Sequence, residues 1–400
     1  MRRFLSHKAI CIPTYDRPDS ICDFVYQTAN ELAAQNVVII LALGENWRGR
    51  SGWHRWRRTI SSLSVLKEGN APQQLALFQF LPLQRFSWLK TLNITLNYFI
   101  LARIIEHHTR NKERLLWIFH PREQSLVSFF SYWKVYFDCV DWHSSYDTEK
   151  RDEIDRERRK LLKVANAVTS ITTAVQDRIF ATSQRRVPIV PQGFDLEGFL
   201  RREQLSQEVE KQLKKTKGRP VIGFFGGVNQ RLDISLLTAV IEKHPEWDFW
   251  FVGSRGQDEN VGFSEKKELD LEKLLSQPNV IWSSSLRRAQ LLPIMKKCDV
   301  LTIPYDLQWE FNQCCFPMKV MEYFYVGKPI VSTPLPSLTL YTDILFGQTA
   351  SEFEKMISQA LKQAPSKRKL EKGKKIALAQ TWKRKIDNVD VYLDKVLPSP

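Results

Sequence analysis

Residues Thr302–Thr333 read TIPYDLQWEFNQCCFPMKVMEYFYVGKPIVST. An apolar run ends at Pro304–Tyr305 and a loop follows. Pro317 then stands where a first helical residue is expected, because its fixed φ suits that position and its missing N–H costs nothing there. Gly327 ends the helix, and Lys328–Thr333 returns to an extended pattern. Strand, helix and strand in this order form the unit of a parallel α/β sheet. Lys319 falls in the first turn of the helix, where an ammonium and free backbone amides together suit a diphosphate. Glu322, three residues on, shares its face, and a carboxylate there suits paired ribose hydroxyls. A plain surface ion pair is the structural alternative. The location favours a ligand, since open α/β sheets bind ligands just beyond the carboxyl ends of their strands.

The same alternation runs along the whole chain. In the first half, strands are expected at Ala9–Thr14, Val37–Leu43, Leu75–Leu81, Leu115–Phe119, Val135–Val140, Ala167–Ile171 and Val187–Val190. Helical patterns such as Ile21–Ala34 and Leu89–His107 separate them. Arg201–Arg219 is polar and basic, lacks apolar periodicity and reads as a linker. A second series follows at Val221–Phe225, Asp248–Val252, Val280–Trp282, Val300–Pro304 and Pro329–Ser332, with helices at Ile234–Lys243, Leu286–Lys297 and Met318–Val326. The fold class is therefore α/β, with two Rossmann-like halves. The expected domains are residues 1–200, a linker at 201–219, residues 220–378 and a final segment at 379–400.

Val221–Ile234 (VIGFFGGVNQRLDI) repeats the logic of the opening stretch. A strand runs into Gly226–Gly227 and a helix opens near Asp233. Glycines allow backbone amides to approach a phosphate, the helix start favours an anion, and Arg231 adds a charge-assisted bond. Taken alone the segment lacks the full GxGxxG spacing, and strand–Gly–helix turns also arise for steric reasons.

Composition narrows the classes. The chain has 400 residues, 43% of them hydrophobic and 26% charged, which is globular and long enough for two domains. No apolar run reaches the roughly 20 residues that cross a bilayer, and the basic amino end enters a strand without a cleavage site. Six cysteines lie scattered without CxxC spacing, so zinc-ribbon and disulfide-scaffold readings fail and a reducing cytoplasm is expected. A formal net charge of +15 calls for an anionic partner. The stretch Lys362–Lys385 alone holds ten basic residues against Glu371.

PMKVMEYFYVGKPIVST resembles the nucleotide-sugar motif of GT-B glycosyltransferases, with its Pro–x–Lys, Glu–Tyr and Gly–Lys–Pro. NVIWSSSLRRAQLLPIMKKCDVLTIPY, GFFGGVNQRLD and AVTSITTAVQDRI with VPIVPQGFD are similar to further segments of these enzymes, Gln192 standing where an Asn is more usual. Trp382 resembles the tryptophan that begins their final helix, which crosses back to the amino domain. Within the group (glycosyltransferase family 4-like), Met318–Lys319 with Tyr305 upstream looks most like the xanthan glucuronosyltransferase and its bacterial relatives. The resemblance implies a transferase with a nucleotide-sugar co-substrate, a uridine donor and a lipid-linked or glycan acceptor. It implies Met318 and Tyr305 around the base, Lys319 on the diphosphate, and Glu322 on the ribose. Many retaining members carry two glutamates eight residues apart; here Cys314 stands eight before Glu322, which points toward inversion.

Inversion needs a general base from the amino half. Asp141, in KVYFDCVDWHSSYD, directly follows an apolar run and is the first candidate. His120, His143 and Asp147 are the alternatives, and Asp138 is expected to be structural. No metal cluster is visible, so amides and cations are expected to neutralise the diphosphate. Finally, Trp47–Arg58 (WRGRSGWHRWRR) joins Arg48, Arg50, Arg55, Arg57 and Arg58 with Trp47, Trp53 and Trp56. Arginines with interleaved indoles suit an anionic membrane interface, and Leu81–Trp88 extends that surface. Single-stranded nucleic acid is the competing partner, with a non-catalytic binder as the competing function. The transferase reading does not call for nucleic acid; it places the protein on the cytoplasmic face of a membrane.

Overall fold

The computed structural model of the chain describes residues 4–15, 24–61, 63, 67–81, 86–201, 203–215, 218–255, 265–363 and 366–397. Twelve strands form two six-stranded sheets. In the first are β1 (Ala9–Thr14), β2 (Val37–Trp47), β3 (Gln73–Phe78), β4 (Arg114–Ile118), β5 (Lys134–Cys139) and β6 (Ala167–Ser170), in the order β3-β2-β1-β4-β5-β6. In the second are β7 (Val221–Phe225), β8 (Asp248–Val252), β9 (Val280–Ser283), β10 (Val300–Ile303), β11 (Ile330–Ser332) and β12 (Ile344–Phe346), in the order β12-β11-β10-β7-β8-β9. Every neighbouring pair is parallel. Numbered within its own half, each sheet has the order 3-2-1-4-5-6. That is the Rossmann order, with a switch point beside the first strand of each half.

Helices supply the crossovers. The first half carries α1 (Phe24–Ala33), α2 (Gly49–Ser61), α3 (Ser87–His108), α4 (Arg151–Val164), α5 (Thr173–Ser183) and α6 (Leu196–Leu200). The remainder carries α7 (Gln207–Lys215), α8 (Ile234–Lys243), α9 (Glu265–Leu275), α10 (Arg288–Met295), α11 (Glu310–Cys314), α12 (Lys319–Val326), α13 (Ala350–Leu361), α14 (Lys367–Leu378) and α15 (Trp382–Val396). Both faces of the sheets are covered, which is why β1, β5, β7 and β8 are mostly apolar, with Asp138 and Asp248 as charged exceptions among their buried positions, and almost wholly buried along their length.

Three expectations change. Val187–Val190 forms only an isolated bridge, Ser170 to Ile189, because Pro188 and Pro191 deny it a ladder. The expected linker contains α7, which buries Val209; Gln212 accepts a bond from Ser283 Oγ at 2.5 Å, tying the helix to the second sheet. The short β12 was not anticipated.

The last helix, α15, returns to the first sheet. Val389 and Leu393 pack with Ile10, Ile12, Val38 and Ile40 on the face shared with α1. At its start Lys385 Nζ lies 2.7 Å from Asp138 Oδ2, both side chains being about 1% exposed. The same ammonium donates to Gln192 Oε1 at 2.6 Å, and Thr169 Oγ1 donates to Asp138 Oδ1 at 3.1 Å. Asp138 is thus structural. Lys385→Met, which strands a buried carboxylate, should cost about 3–5 kcal/mol of stability. Adding Asp138→Asn should recover part of that loss in denaturant melts.

Candidate functional site

At the second switch point, β7 runs out at Phe225 and Gly226 follows with φ 134°. A Cβ on Gly226 would strike Lys319 Nζ, and one on Gly253 (φ 155°) would strike the Gly226 carbonyl. Both positions therefore exclude side chains, and the Gly226 N–H donates to Val252 O at 2.8 Å. The chain then crosses the end of β10: Leu232 bridges Tyr305, and Asp233 N donates to Pro304 O at 2.9 Å.

Asp233 caps α8 by accepting from Leu236 N at 2.9 Å. That helix start, expected to favour an anion, already has its carboxylate. By contrast α12, entered through Pro317 and Met318, has no side-chain cap. Val320 N and Met321 N turn back onto Pro317 O and Met318 O, at 3.0 and 3.1 Å, so what this helix start offers a ligand is its positive end without a competing carboxylate.

The cations gather at this end. Lys319 Nζ lies 4.0 Å from the Phe224 ring centre and 5.0 Å from that of Tyr305. Arg231 Cζ lies 4.3 Å from the Tyr305 ring, and its Nε donates to Asn312 Oδ1 at 3.1 Å. Tyr305 is only 2% exposed. It supports the two cations more than it walls a base pocket. Burial, and then the charge of Arg231, hold the Lys319 ammonium well below the ordinary lysine range, with Glu322 pulling the other way. Met318 and Gly227 are half-buried at the same end. Glu322 lies one turn beyond Lys319, its Oε1 3.7 Å from Arg288 Nε, and Arg288 also reaches Asp195 at 2.8 Å.

Across from these, Asp141 follows β5 and is half-buried. Its charge reaches Cys314 and Cys315 of the second half, adding to the burial that pushes both thiols up. The His120 and His143 rings stand 4.1 Å apart. His120 Nδ1 accepts the Arg122 N–H at 3.1 Å, so the proton of the neutral ring sits on Nε2 and that nitrogen cannot act as a base. Burial, then Arg122, pull its pKa down to about 3. Asp147 is engaged by Arg122 at 2.7 Å and by the Lys150 N–H at 3.1 Å.

Sequence reasoning missed what joins the halves. Glu310, opening α11, pairs with Arg151 and Arg178 of the first half, each at 2.7 Å. Thr172 Oγ1 donates to Cys314 O at 2.9 Å, and Tyr146 packs edge-on to Phe311. Gln230 was missed too: it is 6% exposed, and its amide oxygen and nitrogen have no hydrogen-bond partner among the described residues. Its only sequence signal is its place beside Arg231.

The Arg/Trp segment needs correction. It is a helix, α2, and Trp56 is 7% exposed, stacked on Trp53 and packed against Phe78 and Phe80. Trp56 therefore belongs to the core and not to an outer surface. Trp53 is 38% exposed, and Arg48, Arg50, Arg55, Arg57 and Arg58 are exposed. The Trp47 side chain and residues 82–85 lie outside the described residues.

Comparison with known proteins agrees with this geometry. Residues 219–363 match the family model described as Glycosyl transferases group 1. TuaH of Bacillus subtilis (strain 168), provisionally named a teichuronic acid biosynthesis glycosyltransferase, is 29% identical over 239 residues, an alignment covering 57% of each protein. Among solved structures, a sucrose-phosphate synthase from Thermosynechococcus elongatus matches with a TM-score of 0.71 at 12% identity, covering 98% of this chain and 99% of that one. HepE of Anabaena, in complex with UDP-glucose, matches with a TM-score of 0.67 at 13% identity, covering 97% and 100%. The second half of this chain is thus similar to the glycosyl transferases group 1 model, and the described chain has the GT-B fold of two facing Rossmann-like domains.

Proposed function

We propose that this protein is a glycosyltransferase that moves a sugar from a UDP-sugar to a hydroxyl of a lipid-linked or glycan acceptor at the cytoplasmic face of a membrane, with inversion. One observation carries the donor reading. Lys319 and Arg231 share the Tyr305 ring at the switch point, beside an uncapped helix start, and the charge of one holds down the pKa of the other. Such a site is relieved by an anion. The UDP-glucose in HepE, whose fold this chain shares, supports a uridine donor.

In this reading the positive end of α12, Lys319 and Arg231 take the diphosphate, and Glu322 takes the ribose. Met318 lines the base, and Gly226 and Gly227 let the backbone come close. Asp141 removes the acceptor proton as the acceptor oxygen bonds to the anomeric carbon. The bond from that carbon to the diphosphate oxygen breaks, and the released charge stays with the two cations. No metal takes part. Cys314 supports inversion, since a buried thiol pushed up to about 11 cannot replace a second carboxylate. With Trp56 in the core, the segment offers less for stacking bases, which counts against nucleic acid.

Calorimetry with UDP tests the site. Burial and Arg231 lower the pKa of the free lysine and a bound diphosphate raises it again, so between those two pKa values binding should take up a proton and affinity should fall as pH rises. Lys319→Met should flatten that dependence and, like Glu322→Ala, weaken UDP by about 1.5–3 kcal/mol. UDP binding that ignores both substitutions would remove the donor reading.

Asp141→Asn should lower transfer by a factor of about 10²–10⁴ while leaving UDP affinity intact, and chelator should change neither. An active variant would move the base elsewhere, and the anomeric configuration of the product decides inversion. Glu310→Gln should loosen the contact between the halves, seen as a larger radius of gyration in X-ray scattering. An unchanged radius would show that α11 is held without it.

A further inference from the structure

Helix α3 buries Tyr98, Leu101, Ala102 and Ile105, yet it also turns two polar residues inward and several apolar ones outward. Asn93 and Asn97 are 1% and 0% exposed and face the sheet, where Asn97 Oδ1 accepts the Phe78 N–H at 2.7 Å and Asn93 Oδ1 accepts the Phe80 N–H at 2.8 Å. The outer side carries Trp88, Leu92 and Phe99, which are 64%, 49% and 52% exposed, and Phe86 just before the helix is 42% exposed. Positions 88, 92 and 99 fall on one stripe of a helix. The core contacts of Tyr98, Leu101, Ala102 and Ile105, with asparagines that satisfy the chain leaving β3, account for the inner side. On the outer side Arg103 stands 5.5 Å from the Phe99 ring centre, but Trp88 stays mostly exposed and Leu92 nearly half exposed, and apolar side chains gathered this way are costly in water.

The surroundings indicate what covers the stripe. Phe80, held by Asn93, also packs on Trp56 with ring centres 5.4 Å apart, so α2 and the first half of α3 adjoin at the carboxyl end of β3. Residues 47–103 contain nine basic residues and one acidic residue, Glu68. That carboxylate is already engaged by Lys112 and by His7. The exposed arginines of α2 thus form a cationic rim beside the apolar stripe, the complement of an anionic bilayer surface, while Arg103 toward the other end of α3 is paired with Glu106 at 3.1 Å. Among the described residues no helix is long and apolar enough to cross a membrane.

We propose that Phe86, Trp88, Leu92 and Phe99 insert into the boundary between headgroups and acyl chains of an anionic bilayer. Helix α3 then lies in the membrane plane and the α2 arginines meet lipid phosphates. The inference rests on the membrane-face reading given above and moves its apolar contact from the α2 indoles, one of which is core, to the outer side of α3. It also orients the enzyme. The stripe begins at the same end of the first sheet as Asp141, so a lipid-borne hydroxyl would emerge beside the cleft.

The test is flotation of the whole protein with zwitterionic and with phosphatidylglycerol-containing vesicles, at low and at high salt. The expected result is binding to the anionic vesicles that survives high salt in large part. In Trp88→Ser/Leu92→Ser/Phe99→Ser the low-salt binding should persist and the salt-resistant fraction should fall at least several-fold, with UDP affinity unchanged to show the fold intact. Brominated lipid should quench the tryptophan emission, and Trp88→Phe should reduce that quenching. The proposal is overturned if the wild type is released by salt as fully as the triple variant, or if the triple variant keeps its salt-resistant binding. It is equally overturned if sedimentation shows a wild-type dimer that the triple variant abolishes, which would assign the stripe to a second copy. Absence of binding at low salt, with UDP affinity intact, would sink the membrane-face reading itself and leave the donor site standing.

Discussion

The carboxyl ends of two separate sheets must face one another, and the buried pair of Lys385 with Asp138 is the interaction on which that arrangement turns. Removing two charges from water costs several kcal/mol per ion before their attraction returns any of it. Such a pair persists only where geometry is enforced, and here Gln192 and Thr169 enforce it. Gln192 belongs to the segment by which the chain leaves the first half, and Lys385 to the helix by which it returns. The two crossings lie side by side, with Phe194 N donating to Gln380 O at 2.6 Å. The pair thus fixes both crossings to β5, the strand that leads to Asp141.

From that joint outward, the cleft combines rigid and adjustable contacts. Tyr305, Gly226 and Gly253 are set by the sheet and leave the two cations little freedom. The contacts of Glu310 with Arg151 and Arg178 are of another kind. All three side chains are about a third exposed, and burial, which alone would raise the Glu310 pKa, is outweighed by the two guanidinium groups that lower it. Partly solvated pairs contribute little net stability. They are suited to holding α11 in place while allowing it to part from the first half.

Much of this was legible in the sequence because parallel strands are short, apolar and separated by helical periods. β1, β7 and β8 have the boundaries expected of them, and the Lys319–Glu322 turn was marked by its proline, its glycine and its place after a strand. What was not legible depends on partners distant in the chain. Glu310 looks like any loop acid until Arg151 and Arg178 are brought to it. α7 has few apolar positions, and its anchor, Gln212, is polar. The tryptophans of Trp47–Arg58 resembled a surface because indole spacing does not reveal that Phe78 and Phe80 lie beneath one of them. Asp141 ranks first from its position after an apolar run together with its resemblance to an aspartate of GT-B enzymes. A structural Asp138 is expected from its place inside a strand, but its partner Lys385 and the commitments of Asp147 and His120 required the structure.

The packing of α15 also imposes an order on synthesis. Val389, Leu393 and Leu397 complete the apolar layer formed by Ile10, Ile12, Val38 and Ile40, although most of the chain separates them. At about 5–20 residues per second, on the order of 20 to 80 seconds pass between the appearance of β1 and that of the residues that cover it. During that interval the first sheet is a finished ladder with an unfinished face. The nascent protein therefore carries an exposed greasy surface until its last helix leaves the ribosome, and it is at this stage that helper proteins would find something to hold.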